Sequence, residues 1–176
     1  MNAPTIAVGA LTYLRPLEEA DLEVVLKWDK DPEVHAWAGK KFESPEECRD
    51  WLRTRRRSPN SVAFAIVTHD GRLIGDLELE QIDWKRRTAE LRISIGDKTQ
   101  WGKGLGSDAV LTALKVAAFQ LRLKSVYLRV AVENHRAIRC YTKCGFRKRK
   151  MLRFRNGREG AQDILLMEVT FPQSAC

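Results

Sequence analysis

The sequence predicts a mixed α/β fold, a single domain whose mixed central sheet of about seven strands is flanked by about four helices. Three observations carry that reading. The chain has 176 residues, enough for one domain to bury most of its apolar surface around one core without staples or metals. No repeat, low-complexity tract or long linker divides it. The stretch WGKGLGSDAVLTAL, Trp101 to Leu114, has glycine at every second residue and then enters a helical apolar pattern. With a strand signal on either side, it reads as a strand, glycine loop, helix, strand crossover.

LTYLRPL, Leu11 to Leu17, is a first strand closed by Pro16. Leu22, Val25, Leu26 and Trp28 recur at helical spacing over Glu18 to Trp28, and Asp31-Pro32 breaks the pattern. Ser44, with Pro45 after it and Glu47 three residues on, caps a second helix that runs to about Arg56. Three strands come next: the nearly all-apolar Ser61 to Thr68, then the alternating Arg72 to Ile82 and Glu90 to Ile95. His69-Asp70-Gly71 turns between the first two. Ala109, Val110, Ala113, Leu114, Ala117 and Ala118 form the helical stripe after the glycines, and Ser125 to Val132 is a further strand. Asn134 to Cys144 is a short helix that Gly145 stops, and Phe146 to Phe154 pairs with Asp163 to Phe171 as a last hairpin.

Composition excludes several classes. An apolar share of 44% and a charged share of 31% suit a globular protein, and no run approaches the roughly 18 apolar residues of a membrane span. The first residues lack a basic segment before an apolar one, so the expectation is a cytoplasmic protein with no membrane partner. Cys48, Cys140, Cys144 and Cys176 have neither knuckle spacing nor paired histidines, so no disulfide framework and no metal site is expected. The net charge of +8 is concentrated in Arg53, Arg55, Arg56 and Arg57 and in the run from Arg147 to Arg158. Solvated faces account for either cluster, and charge alone does not make nucleic acid an expected partner.

The glycines have a chemical reading. A strand that ends in a glycine-rich turn and feeds a helix presents unpaired backbone N–H groups at the positive end of the helix dipole, which suits a phosphate or pyrophosphate. Gly102, Gly104 and Gly106 let that backbone approach a ligand, Leu105 anchors the loop, Lys103 supplies a cation at the rim, and Ser107 or Asp108 caps the helix. The pattern is neither GxGxxG nor a Walker loop.

Trp101 to Gly106 resembles the pyrophosphate loop of the GCN5-related N-acetyltransferases (GNAT), which reads Arg or Gln, any, any, Gly, any, Gly or Ala. ENHRAIRCYTKCGF, Glu133 to Phe146, is similar to the family's second signature, an asparagine that opens a helix, a tyrosine seven residues on and a Gly-Phe pair. The resemblance spans about Ser61 to the C-terminus, and one departure is Trp101, where the family usually has Arg or Gln. That aromatic and the closing GREGAQDILLMEV look most like the branch of the ribosomal-protein N-terminal, spermidine and some aminoglycoside acetyltransferases.

The resemblance implies a GNAT-like fold with a splay between the fourth and fifth strands, those of Ser94 and Leu128. It also implies acetyl-CoA as cosubstrate and direct attack by a primary amine in a ternary complex. The pantetheine arm would pair with Ile93, Ser94 and Ile95 as an added strand, and Gly102 to Ser107 would hold the pyrophosphate. Tyr141 matches the general acid, though a core aromatic at helical spacing is the plainer account of that residue alone. Asn134 matches the cofactor-binding asparagine and is also a plain helix cap. Glu90 matches the base of the histone-type members, while Asp76, Glu78, Glu80 or a water chain are alternatives; the protein N-terminal members carry their glutamate on the next strand, where this chain has Arg129.

By the same resemblance residues 18–57 wall the acceptor site, 61–146 bind acetyl-CoA, and the hairpin over 146–171 closes it, with a homodimer through the late strands compatible. Trp28, Trp37, Trp51 and Trp84 are candidates for an acceptor slot or for core. Glu18, Glu19, Asp21, Glu46 and Glu47 suit a polyamine or aminoglycoside, whereas the basic clusters suit a protein N-terminus. A small-molecule amine ranks first, a protein N-terminal acetyltransferase is the alternative, and a non-catalytic acyl-CoA-binding regulator is a second alternative.

Overall fold

The computed structural model describes residues 6–37, 42–154 and 162–172. One eight-stranded sheet has the order β1-β2-β3-β4-β5-β6-β8-β7. Its strands are β1 (Ala7–Val8), β2 (Thr12–Pro16), β3 (Val62–Thr68), β4 (Leu73–Asp83), β5 (Thr88–Ile95), β6 (Ser125–Ala131), β7 (Arg147–Phe154) and β8 (Gln162–Thr170). The helices are α1 (Leu22–Asp29), α2 (Pro32–His35), α3 (Pro45–Arg57), α4 (Leu105–Lys115) and α5 (His135–Lys143). No helix among the described residues is long and apolar enough to cross a membrane.

Apolar residues on both faces of the sheet explain why β3 reads as a continuous apolar run. Phe64 and Ile66 join Leu14, Leu77, Leu79, Ala109, Val110 and Ala113 under α4. Ala65 and Val67 pack on the other face with Leu22, Val25, Leu26, Cys48 and Leu52 of α1 and α3. A strand buried on both sides cannot alternate apolar with polar.

The mixed sheet follows the expected plan, with differences at its margins. The sheet has eight strands instead of about seven, because β1 is too short to leave a period-2 pattern. The helix expected from Glu18 begins as a 3-10 turn over Glu19–Asp21. Asp31-Pro32 not only ends α1 but starts α2, as the Asp31 carboxylate accepts from the Glu33 and Val34 N–H groups at 2.9 and 3.4 Å and proline fills the first turn. Past Lys115, α4 widens into a π-helical turn over Val116–Gln120.

One cap is a correction. Neither Ser107 nor Asp108 caps α4; the cap is Gly104, at φ +79°, with no side-chain bond. Asp108 instead reaches across to the start of β2. It accepts from the Ala10, Leu11 and Thr12 N–H groups at 2.9, 3.0 and 2.8 Å and from the Thr12 hydroxyl at 2.7 Å. Partial burial opposes the charged form, but those hydrogen bonds outweigh it and hold the Asp108 carboxyl below the usual carboxylate range. Asp108→Ala should therefore cost about 2–3 kcal/mol in chemical denaturation at pH 7, since it leaves four donors without their acceptor. The folded-state pKa is depressed, so this contribution is fully present above the unfolded aspartate value of about 4 and fades as pH falls through the lower folded value. A variant that kept wild-type stability at pH 7 would contradict this account of Asp108.

The one parallel pair among the described residues positions the site. β5 and β6 are in register at Thr88↔Ser125, Ala89↔Val126 and Glu90↔Tyr127, and there the ladder stops. β5 continues to Ile95, held by β4, and β6 continues to Ala131, held by β8. The two strands diverge as expected for the fourth and fifth strands of the sequence reading.

Candidate functional site

A cavity of about 800 Å3 fills the divergence. Ile93, Ser94 and Ile95 line it from β5, Gly102, Gly104, Leu105, Gly106 and Ser107 from the loop and first turn of α4, and Asn134 and Tyr141 from α5, with Glu90. Of the residues predicted to bind the cofactor, Lys103 alone is absent from the lining; its ammonium lies 3.5 Å from the Gln100 side-chain oxygen.

The loop is built as its composition requires. Gly102 and Gly104 have φ of +75° and +79°, which residues with a Cβ resist. Leu105 enters the main core and anchors the turn. Trp101 is fixed from two sides: its indole N–H donates to the Ile95 carbonyl at 2.7 Å, and the Arg136 guanidinium lies over the ring, its carbon 3.9 Å from the ring centre. The loop therefore presents bare backbone amides at the N-terminus of α4, which fits a pyrophosphate. The β5 edge from 91 to 95, left unpaired by β6, fits an extended amide-bearing arm.

Tyr141 packs edge-on against Phe146 at 5.9 Å between ring centres. Burial, reinforced by the neighbouring Cys140 and Cys144 thiols, pushes its phenol above the ordinary tyrosine range, so it stays protonated at neutral pH. Asn134 caps α5, its side-chain oxygen accepting from the Ala137 N–H at 3.2 Å, so the cap and the cavity wall are one residue. Cys140 lines the cavity 3.1 Å from the Ser107 hydroxyl. Hydrogen bonding from Cys144 and Ser107, with the Lys143 and Arg136 charges nearby, lowers its pKa.

The candidate bases separate. Glu90 is 2% exposed, and Arg129 clamps it in two bonds, Nε to Oε1 and Nη2 to Oε2, both 2.8 Å. Gln81 adds a bond to Oε2 at 3.0 Å. Glu80 is shut between Arg55, at 2.8 Å, and Arg92, and lies outside the lining. Glu78, which pairs with Arg55 at 3.1 Å, and Asp76 do line the cavity.

The tryptophans separate as well. Trp28 lies on Gly96, where a Cβ would overlap its ring, Trp51 stacks on Phe42, and the Trp84 N–H bonds to the Pro59 carbonyl. Trp37, 46% exposed, lines the cavity. Arg53, Arg55 and Arg56 are engaged with Asp50, Glu78 and Glu80, and the Leu17 carbonyl, so most of the first basic cluster braces α3. Within the second cluster and the closing hairpin, residues 155–161 lie outside the described residues.

Sequence reasoning missed Arg136, Arg139 and Lys143, all in the lining. Their i, i+3, i+7 spacing on α5 was the available signal. It also missed the Arg129 clamp, which depends on parallel register.

The profile of the acetyltransferase (GNAT) domain matches residues 12–147. The spermidine N(1)-acetyltransferase of Vibrio cholerae is 31% identical over 134 residues, which cover 76% of this chain and 77% of that protein. The Escherichia coli K12 enzyme of the same name is 36% identical over 134 residues, covering 76% and 71%. A crystal structure of the Vibrio cholerae spermidine N-acetyltransferase with CoA and spermine superposes with a TM-score of 0.82 at 29% identity, covering 92% of this chain and 96% of that one. With the glycine loop, the divergent strands and these relatives in agreement, the chain belongs to the GNAT family and is an acetyl-CoA-dependent N-acetyltransferase.

Proposed function

We propose that the acceptor is a linear polyamine, whose primary amine attacks directly within a ternary complex. The observation that carries this is the charge layout of the cavity. Its wall on the loop and α5 side bears Arg136, Arg139 and Lys143, complementary to cofactor phosphates. Asp76, Glu78 and Asp29 line the cavity from β4 and the end of α1, Glu78 paired with Arg55, and a wall with carboxylates suits a chain of ammonium groups better than the opposite, basic wall does. The naming of the relatives as spermidine acetyltransferases supports the same acceptor.

Acetyl-CoA supplies the activated thioester. Residues 93–95 hold its arm by strand pairing, and the amides of 102–107, with Asn134 beside them, hold the pyrophosphate end. Free β5 N–H groups in the divergence polarise the carbonyl. The Tyr141 hydroxyl gives its proton to the departing sulfur. Among the described residues Glu90 Oε1 carries one hydrogen bond where a carboxylate oxygen accepts two, and it takes the amine proton through an intervening water.

The test is thiol release from acetyl-CoA with spermidine, spermine, an aminoglycoside and ribosomal N-terminal peptides. Spermidine or spermine should exceed the others in kcat/KM by about 100-fold, about 2.7 kcal/mol of transition-state preference. The combined Asp76→Asn and Glu78→Gln change should raise the spermidine KM about 10-fold with little change for acetyl-CoA. Faster turnover of a peptide or an aminoglycoside would overturn the polyamine assignment.

A further inference from the structure

We infer that Arg136, held against Trp101, is the cation that this chain sets on the cofactor pyrophosphate in place of the Arg or Gln that opens the loop elsewhere in the family. An indole at position 101 offers no charge to a phosphate. It offers a flat face, and it cannot turn, because its N–H is bonded to the Ile95 carbonyl and its ring lies under a guanidinium. A cation held over a ring face needs no carboxylate to fix it, and a guanidinium carries five N–H donors, more than one ring contact can occupy. Arg136 forms no ion pair with a carboxylate among the described residues, and it lines the cavity beside Gly102, Gly104 and Gly106. Arg139 and Lys143 continue the stripe along α5 and carry the positive wall onward. Only Arg136 is fixed on the residue that immediately precedes the first loop glycine. The cation of the loop has thus moved from the loop to the facing helix, and the tryptophan is its support.

The inference rests on acetyl-CoA binding and is independent of the acceptor. Calorimetry on the full chain with CoA and with 3'-dephospho-CoA gives the affinity, and kcat/KM with acetyl-CoA and with S-acetylpantetheine, which has no phosphate, gives a second readout. Arg136→Ala should weaken CoA and 3'-dephospho-CoA alike, about 10- to 30-fold, and should leave S-acetylpantetheine unaffected. Adding Trp101→Arg to Arg136→Ala should recover most of the CoA affinity, since the charge then returns to the loop. An unchanged CoA affinity, a loss shared by S-acetylpantetheine, or a loss that vanishes with 3'-dephospho-CoA overturns the assignment. Failure of the wild-type chain to bind CoA would overturn the acetyl-CoA reading itself and this inference with it.

Discussion

Tyr141→Phe should lower kcat by about 10²- to 10³-fold and leave CoA affinity within about twofold, the range that loss of a single general acid produces. The ring of Tyr141 packs on Phe146, and phenylalanine keeps that contact. What disappears is one hydroxyl in the cavity, already held protonated by its surroundings. Because desolvation raises its pKa, the loss of turnover should be uniform from pH 6 to 9, with no recovery on the alkaline side. A variant that retained more than about a third of wild-type kcat would remove Tyr141 from the chemistry and leave it as a wall of the cavity.

Arg129→Leu should destabilise the fold by about 3–4 kcal/mol in denaturant titration, because it strands the Glu90 carboxylate in a buried position. Arg129 is partly exposed, which keeps the figure below that of a fully enclosed pair. The combined Glu90→Gln and Arg129→Leu variant should recover most of that loss, since no charge is then left unpaired. Arg129→Leu and Glu90→Gln, each alone, should also slow turnover, as the clamp holds Glu90 at the fork of the two strands. A cost for Arg129→Leu under about 1 kcal/mol would mean that the pair is solvated and that the clamp does not matter.

The legible parts of this protein are those governed by short periods. The stripes of α1 and α4, the Ser44 cap that starts α3, the Asn134 cap and the left-handed Gly145 all follow from local stereochemistry, and each stands where the sequence indicates. β1 was illegible because two residues carry no period. In the site, the glycine loop and the line from Tyr141 to Asn134 were readable as motifs. The grip of Arg129 on Glu90 was not, since it depends on how β6 is set against β5, a register fixed by packing and absent from either strand alone. The same holds for Asp108, read as a cap from its place after the glycines. Its true partners lie 96 to 98 residues away, beyond the reach of any local rule.

That Asp108 bond set also bears on how binding energy is spent. It ties Ala10, Leu11 and Thr12 to the first turn of α4, so three backbone donors outside the helix are fixed to the element that follows the glycine loop. Under the proposed cofactor placement, a ligand at the glycine loop would bind beside a helix end already tied to the sheet, and less of its contact energy would go into ordering the chain. The β1–β2 turn, about a hundred residues before the glycine loop in sequence, would in that case act as a preorganising brace, and changes there should weaken CoA affinity even where the fold survives.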